Sequence, residues 1–155
     1  MTHHHGDHIG GMRSFVAEGA TVVTTAANRP VIEAMAASKQ NDRLGKEPRE
    51  PEFLLLENGR RALTDGTREL QLIDIGPNPH AKEMVIAWLP AEKVVFQGDL
   101  FFVPNNDAPF GPPQPSTASF AKKLRELGLA VEKIAAVHGD TATIAQFREA
   151  TASVE

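Results

Sequence analysis

The chain has 155 residues and a formal net charge of −4, with 41% hydrophobic and 23% charged residues, which is typical of a soluble globular domain. The acidic balance argues against a nucleic-acid-binding face, because such a face needs clustered Lys and Arg. No apolar run approaches the roughly 18 residues of a membrane span. No signal peptide is visible, so a cytoplasmic location is the default expectation, although the compartment is not determined.

The first predicted feature is a metal site at the start of the chain. His3, His5, Asp7 and His8 stand at His-x-His-x-Asp-His spacing, and imidazole and carboxylate groups are ligands that zinc accepts. In an extended segment His3 and His5 point the same way. Gly6 permits a turn that directs Asp7 and His8 to a second point, so one segment can serve two metal ions. An expression tag is the alternative interpretation, but it does not account for Asp7 and His8.

Helices and a strand are predicted to alternate after this motif. The predicted elements are helix Met12–Glu18, strand Thr21–Thr25 and helix Ala26–Lys39. Phe15 and Val16 are expected to face inward, and Pro30 fits the first turn of the second helix. The charged segment Gln40–Pro51 predicts an exposed loop, for which a flap over the substrate is the functional alternative.

Short apolar strands separated by turn dipeptides predict a meander in the middle of the chain. The predicted strands are Phe53–Leu56, Arg61–Thr64, Glu69–Ile75, Met84–Leu89 and Lys93–Phe96. We expect all of them to form one sheet. His80 and Asp99 then follow strand ends, where side chains from different strands converge.

Proline dominates the segment Leu100–Pro115, which contains five Pro residues. This composition predicts extended structure, with a wall of the substrate cleft as the functional alternative. Phe101, Phe102 and Phe110 either line such a cleft or belong to the core.

The last third of the chain is predicted to contain two helices and a strand. The predicted elements are helix Thr117–Leu127, strand Val131–Val137 and helix Thr141–Ala150. Ser116 is expected to cap the first of these helices and Gly128 to end it. The strand delivers His138.

Four motifs in this order resemble the metallo-β-lactamase-fold hydrolase superfamily. The motifs are residues 2–11, Ile75-Gly76-Pro77-Asn78-Pro79-His80, Phe96-Gln97-Gly98-Asp99 and Ala136-Val137-His138-Gly139. The resemblance implies an α/β fold, an αβ/βα sandwich of two facing sheets. Because the strand before the first motif and most of the first sheet are missing, we expect a fold truncated to the part from the His-x-His-x-Asp-His motif onward. Residues 1–155 would then form a single partial domain.

The resemblance also implies a dinuclear metal site with seven ligands. One ion would be bound by His3, His5 and His80. The other ion would be bound by Asp7, His8 and His138. Asp99 would bridge the two ions, and Asp7 and Asp99 would be the catalytic residues. The expected cofactors are two zinc ions, with iron or manganese as alternatives.

The activity implied by the resemblance is hydrolysis of an ester, thioester, lactone or related bond in a small molecule by a bridging hydroxide. The chain has no Cys and no Tyr. The first absence argues against the β-lactamase subclass with a Cys ligand, and the second removes the Tyr familiar in lactone-cleaving members. Ala81 follows His80 where members often have Thr or Ser, so the hydrogen-bond partner of His80 is unidentified. Asp74 is expected to point outward, or alternatively to accept from a ligating His.

The sequence leaves two other functions open. The chain is alternatively an inactive fragment that binds metal weakly or needs its missing N-terminal half, and such a fragment would self-associate through an uncovered sheet face. A nuclease of the same superfamily is disfavoured by the acidic charge balance. We therefore expect no nucleic-acid or membrane partner.

Overall fold

The computed structural model describes residues 1–38, 49–104 and 108–154, which form two sheets and several helices. The helices in these ranges are α1 Gly6–Ile9, α2 Met12–Ala17, α3 Arg29–Ala36, α4 Pro115–Leu127 and α5 Ile144–Thr151, which a 3₁₀ turn, Ala152–Val154, follows. The strands are β1 Thr21–Thr24, β2 Glu52–Leu55, β3 Arg60–Thr64, β4 Glu69–Asp74, β5 Val85–Leu89, β6 Val94–Gln97, β7 Lys133–Ala136 and β8 Ala142–Thr143.

The larger sheet has six strands in the order β3-β4-β5-β6-β7-β8. Strands β3 to β6 form an antiparallel meander, and β7 then adds parallel to β6. The crossover from β6 to β7 contains α4, as a parallel connection requires a long return path. This crossover brings the ends of β6 and β7 side by side, and these strands precede Asp99 and His138.

The expectation that Phe53–Leu56 belongs to the meander is wrong. Strand β2 pairs in parallel with β1, with Val22 opposite Phe53, and the two strands form a separate small sheet. The turn at Asn58 and Gly59, both at positive φ, begins the path to β3. A short apolar run does not encode its pairing partner, because the partner is set by contacts that are distant in sequence.

The main hydrophobic core lies between the six-stranded sheet and helices α4 and α5. Phe120 and Phe147 from the helices pack with Ile86, Val95 and Ile134 from the strands, and all of these side chains are buried. A smaller cluster joins Val16, Val22 and Ile32 beside the small sheet. The larger core therefore supports the strand ends at which the predicted ligands are placed.

Three local expectations need correction. Phe15 is 68% exposed, because α2 has only six residues and buries Val16 instead. Ser116 does not cap α4, because that helix begins at Pro115 and Ser116 is its second residue. The N-cap residue is Gln114, which makes no side-chain hydrogen bond to the helix. The predicted helix Thr141–Ala150 begins with strand β8, and Thr143 then caps α5 through a reciprocal hydrogen-bond pair with Gln146.

Part of the predicted loop and flap at Gln40–Pro51 lies outside the described residues, as do the end of the predicted helix Ala26–Lys39 and positions 105–107 of the Pro-rich segment. In the parts of the chain that the structure describes, no helix combines the length and apolar character needed to cross a bilayer.

Candidate metal centre

The N-terminal motif is held against the six-stranded sheet by its backbone. The carbonyl of Thr2 accepts a hydrogen bond of 2.7 Å from the amide of Val85 at the start of β5, and His3 is fully buried. The expected turn at Gly6 is the helical turn α1, in which the amides of His8 and Ile9 donate to the carbonyl of His5. This turn directs Asp7 and His8 back toward the strand ends.

His80 follows β4 on a loop that Asn78 organises. The Asn78 side chain accepts from the backbone amide of His80 at 2.9 Å, and its own amide donates to the carbonyl of Ser116 at 3.4 Å. Asp74 lies just before this loop, where its carboxylate accepts from the amide of Gly76 at 2.8 Å. Asp74 therefore fixes the turn that leads toward His80.

Asp99 follows β6 on a tight loop that buried polar side chains brace. The side chain of Gln97 is fully buried; it accepts from the amide of Leu100 and donates to the carbonyl of Phe101, both at 2.7 Å. Thr117 on α4 donates to the carbonyl of Leu100 at 2.7 Å. These bonds fix the backbone on the C-terminal side of Asp99.

His138 follows β7 and is the most open of the imidazoles that approach Asp99. Its side chain is 45% exposed, and the neighbouring Val137 amide donates to the carbonyl of Gln97, which keeps this strand end beside Asp99. The ring of Phe102 lies 6.4 Å from the His138 ring, centroid to centroid, and is itself 39% exposed. Phe101 is instead buried in the core.

The structure brings the seven predicted site residues together as two groups that share Asp99. In each group the potential ligand atoms lie within 4.8 Å of one another. The first group comprises His3, His5, His80 and Asp99. The second group comprises Asp7, His8, His138 and Asp99. His4, the remaining imidazole, belongs to neither group.

The two carboxylate oxygens of Asp99 face different groups. Its Oδ2 lies 3.2 Å from Nε2 of His80 and 3.9 Å from Nε2 of His3. Its Oδ1 lies 2.9 Å from Nε2 of His8 and 3.7 Å from Nε2 of His138. In the second group Asp7 Oδ2 also lies 3.0 Å from Nε2 of His138. One carboxylate thus stands between two sets of imidazole nitrogens.

The buried polar atoms of this cluster are better placed to bind a metal ion than to form hydrogen bonds with one another. Asp99 Oδ1 and His8 Nε2 are only 2.9 Å apart, yet both are buried and neither has a hydrogen-bond partner among the described residues. In the first group Nε2 of His3 and Nε2 of His80 face each other at 3.1 Å. Nitrogen lone pairs that converge with carboxylate oxygens are satisfied by a divalent cation, so the donor set fits the expected ions.

The electrostatics favour the metal-binding forms of His3 and Asp7. Burial, followed by the nearby His8 and His5, lowers the pKa of His3 to about 4, so this imidazole is neutral at neutral pH. The hydrogen bond from His138 holds the pKa of Asp7 below its ordinary value, so this carboxylate is ionised. Neutral imidazole and carboxylate are the states that coordinate metal ions.

Sequence reasoning missed two residues that contact the first group from behind. The hydroxyl of Thr2 lies 3.2 Å from Nδ1 of His3. At Gly98 an added Cβ would lie 3.0 Å from that hydroxyl and 3.2 Å from Nδ1 of His3. The glycine next to Asp99 therefore leaves room for the N-terminal motif. The sequence marks Gly98 as the residue between a strand and Asp99, but it gives no sign of the contact with the N-terminal motif.

The family model described as the metallo-beta-lactamase superfamily matches residues 1–142. The chain belongs to the metallo-beta-lactamase superfamily. The six-stranded sheet, the small sheet and their helices are this superfamily's mixed α/β fold, as solved structures also indicate. A comparison with curated protein sequences found no match.

Several solved structures share the fold at low sequence identity. A metallo-beta-lactamase from Pontibacter korlensis is 20% identical, with a TM-score of 0.65, and the match covers 99% of this chain and 66% of that one. The metallo-beta-lactamase FIM-1 from Pseudomonas aeruginosa, in its mono-zinc form, is 19% identical, with a TM-score of 0.66 and coverages of 99% and 63%.

A protein of another kind has the same fold. Rubredoxin oxygen:oxidoreductase from Desulfovibrio gigas is 16% identical, with a TM-score of 0.66, and the match covers 99% of this chain and 42% of that one. The chain thus spans about two thirds or less of the length of these solved proteins. At such identities the likeness shows the fold alone.

Proposed function

We propose that this chain carries the metal centre of a metal-dependent hydrolase that acts on a small molecule. The observation that carries this proposal is the placement of Asp99, whose two oxygens face separate groups of imidazoles. A carboxylate in this position can bridge two metal ions, which is the arrangement used for two-metal hydrolysis. Membership of the superfamily supports the same reaction class.

The proposed ligand roles follow the two groups. His3, His5 and His80 would hold one ion; Asp7, His8 and His138 would hold the other, with Asp99 shared between them. Zinc suits a mixed imidazole and carboxylate set, and iron and manganese suit it as well. The solved relatives include a mono-zinc enzyme and a metal-soaked flavodiiron core, so zinc is the first ion to test and iron the second.

When bound, the two ions would lower the pKa of a water molecule so that a hydroxide nucleophile forms near neutral pH, and they would polarise the bond under attack. The chain itself would orient the reactants. The Asp7 carboxylate is 55% exposed and ionised, so it can accept a hydrogen bond from the attacking water. The braced loop fixes the backbone on the C-terminal side of Asp99, and so the position of the carboxylate that the two groups share.

The open side of the centre lies next to His138 and Phe102. An exposed aromatic ring beside a polar centre favours a substrate with an apolar portion next to the bond that is cleaved. An ester, thioester or lactone fits this description. Phe102 would form one wall of the cleft.

The second candidate is a metal-binding chain without hydrolytic activity. Partial exposure of the second group favours this candidate, since the side chains of Asp7 and His138 are 55% and 45% exposed. Exclusion of bulk water strengthens the electrostatic interactions in an active site, and these two exposed side chains lack that benefit. A centre this open would then bind metal but position substrate poorly.

Hydrolysis assays on the metal-loaded chain separate the two candidates. We expect turnover of at least one probe in a panel of ester, thioester, lactone and phosphodiester substrates. Asp99→Asn should abolish this turnover, because an amide is a weaker metal bridge than a carboxylate. Asp140→Asn is the matched control, since Asp140 is an exposed carboxylate two residues after His138 and belongs to neither group. A metal-loaded chain with no turnover of any probe would favour the second candidate.

A further inference from the structure

The side chain of Thr2 touches one proposed ligand from each ion. Its Oγ1 lies 3.2 Å from Nδ1 of His3 and 3.2 Å from Nδ1 of His8. These two rings belong to different groups around Asp99, and their centroids are 4.1 Å apart. The hydroxyl of Thr2 therefore contacts one ring from each of the two groups.

The opposite nitrogens of the same two rings point at the carboxylate. Nε2 of His8 lies 2.9 Å from Asp99 Oδ1, and Nε2 of His3 lies 3.9 Å from Asp99 Oδ2. A neutral imidazole carries its proton on only one nitrogen, and the other nitrogen then has the lone pair that binds metal. A proton held at Nδ1 therefore prepares Nε2 for coordination.

We propose that Thr2 is a positioning residue that accepts hydrogen bonds from Nδ1 of both His3 and His8 and so fixes the metal-binding tautomer of one ligand for each ion. A hydroxyl oxygen has two lone pairs and can accept both bonds. This inference rests on the proposed metal centre. It adds a contact common to both ions, because one side chain would fix the tautomer of one ligand of each ion.

The surroundings of Thr2 hold its hydroxyl in this place. The Thr2 carbonyl accepts from the Val85 amide at 2.7 Å, which fixes the backbone to β5. A Cβ at Gly98 would lie only 3.0 Å from the hydroxyl and 3.3 Å from Cβ of Thr2. Thr2 therefore lies between β5 and the loop before Asp99, with its backbone bound to the first and its side chain close to the second.

Nitrogen-15 NMR of the histidine rings tests the proposal in the chelator-treated protein, at a pH where the imidazoles are neutral. We expect the Nδ1–H tautomer for both His3 and His8 in the wild-type chain. Thr2→Val keeps the side-chain shape but removes the hydroxyl, so both rings should lose this preference. Thr2→Ser should retain it. Thr151→Val is the control, because it removes a buried hydroxyl that donates to the carbonyl of Phe147 in α5.

Zinc competition titrations with a chelator provide the second readout. Loss of a partner that orients a metal ligand costs about 10–100-fold in affinity, and Thr2→Val should weaken both binding steps by this amount. If Thr2 contacted only one of the two ligands, its loss would weaken only one of the two zinc-binding steps. Thr2→Ser should stay close to the wild-type affinity for both.

Three results would overturn the role of Thr2. The first is the Nε2–H tautomer at either ring in the wild-type chain, and the second is an unchanged tautomer in Thr2→Val. The third is an equal loss in Thr2→Ser and Thr2→Val, which would indicate a packing role. If the wild-type chain bound no zinc, the proposed function would fail, but the NMR result would still decide the contact of Thr2 with the two rings.

Discussion

Replacing Gly98 with Ala should damage both the fold and the metal centre, because the added methyl group has no free space. Its Cβ would lie 3.0 Å from the Thr2 hydroxyl, 3.2 Å from Nδ1 of His3 and 3.3 Å from Cβ of Thr2. The last of these atoms adjoins the backbone, so rotating a flexible side chain does not relieve the clash. Overpacking of this kind typically costs about 1–3 kcal/mol.

The same displacement should weaken metal binding. If the N-terminal segment moves by a few tenths of an ångström to relieve these contacts, Nε2 of His3 shifts relative to the other ligand atoms. A loss of about 1.4 kcal/mol, toward the lower end of that range, corresponds to about tenfold in affinity. We therefore expect Gly98→Ala to lower the free energy of unfolding by about 1–3 kcal/mol and the zinc affinity by about one order of magnitude.

Urea unfolding and zinc competition titrations measure the two effects. Gly111→Ala is the matched control, because an added Cβ there meets nothing within 4 Å, and such a change should stay within about 0.5 kcal/mol. If Gly98→Ala unfolded at the wild-type urea concentration and bound zinc with wild-type affinity, the close contact between this loop and the N-terminal motif would be refuted.

Four further predictions concern the brace of Asp99, the core, acid stability and association. Gln97→Met leaves two buried backbone groups unpaired, so unfolding experiments should find a loss of about 1–3 kcal/mol for each group. Phe120→Ala, in the fully buried core, should cost about 3–5 kcal/mol, whereas the half-buried Phe96 should cost less; equal losses would contradict this ranking. The low pKa of His3 means that the folded chelated protein binds fewer protons than the unfolded chain between about pH 4 and 6.5; its urea midpoint should fall as the pH falls through this window, and a constant midpoint would be the contrary result. Self-association through an apolar face stays a prediction: Phe15 is 68% exposed beside a cavity of about 440 Å³, and light scattering that reports a monomer at every concentration would exclude it.

The order of motifs along the sequence, together with the family resemblance that it carries, predicted which residues lie close together. His80, Asp99 and His138 each follow an apolar strand, and the ends of such strands converge at one side of a sheet. The parallel pairing of β6 and β7 places the last two of these residues side by side. The structure brings them together with the N-terminal motif, as the sequence led us to expect, while their roles as metal ligands stay proposals.

The contacts behind these residues could not be read from the sequence. Thr2, Gln97 and Gly98 act through bonds and close approaches to segments far away in the chain. A glutamine between Phe96 and Gly98 gives no sign in the sequence of the loop that it braces. The same limit explains why the predicted pairing of β2 was wrong, because the composition of a strand does not determine which strand it pairs with.

The predicted starts of two helices were wrong because of the residues next to them in the sequence. Ser116 is a good capping residue, but Pro115 is equally favoured at the first position of a helix, where its missing amide costs nothing. The helix therefore begins at the proline. The capping pair of Thr143 and Gln146 was readable from the sequence, although the prediction placed the start of that helix three residues too early, at Thr141 instead of Ile144.

The most direct test of the proposed centre is the metal content of the chain after zinc loading and dialysis, measured by elemental analysis together with protein concentration. The geometry around Asp99 predicts two ions per chain in the wild type and a clear loss in Asp99→Asn, because this carboxylate would serve both ions. Folded wild-type protein that retains no metal would contradict the account, and so would an Asp99→Asn variant that keeps both ions.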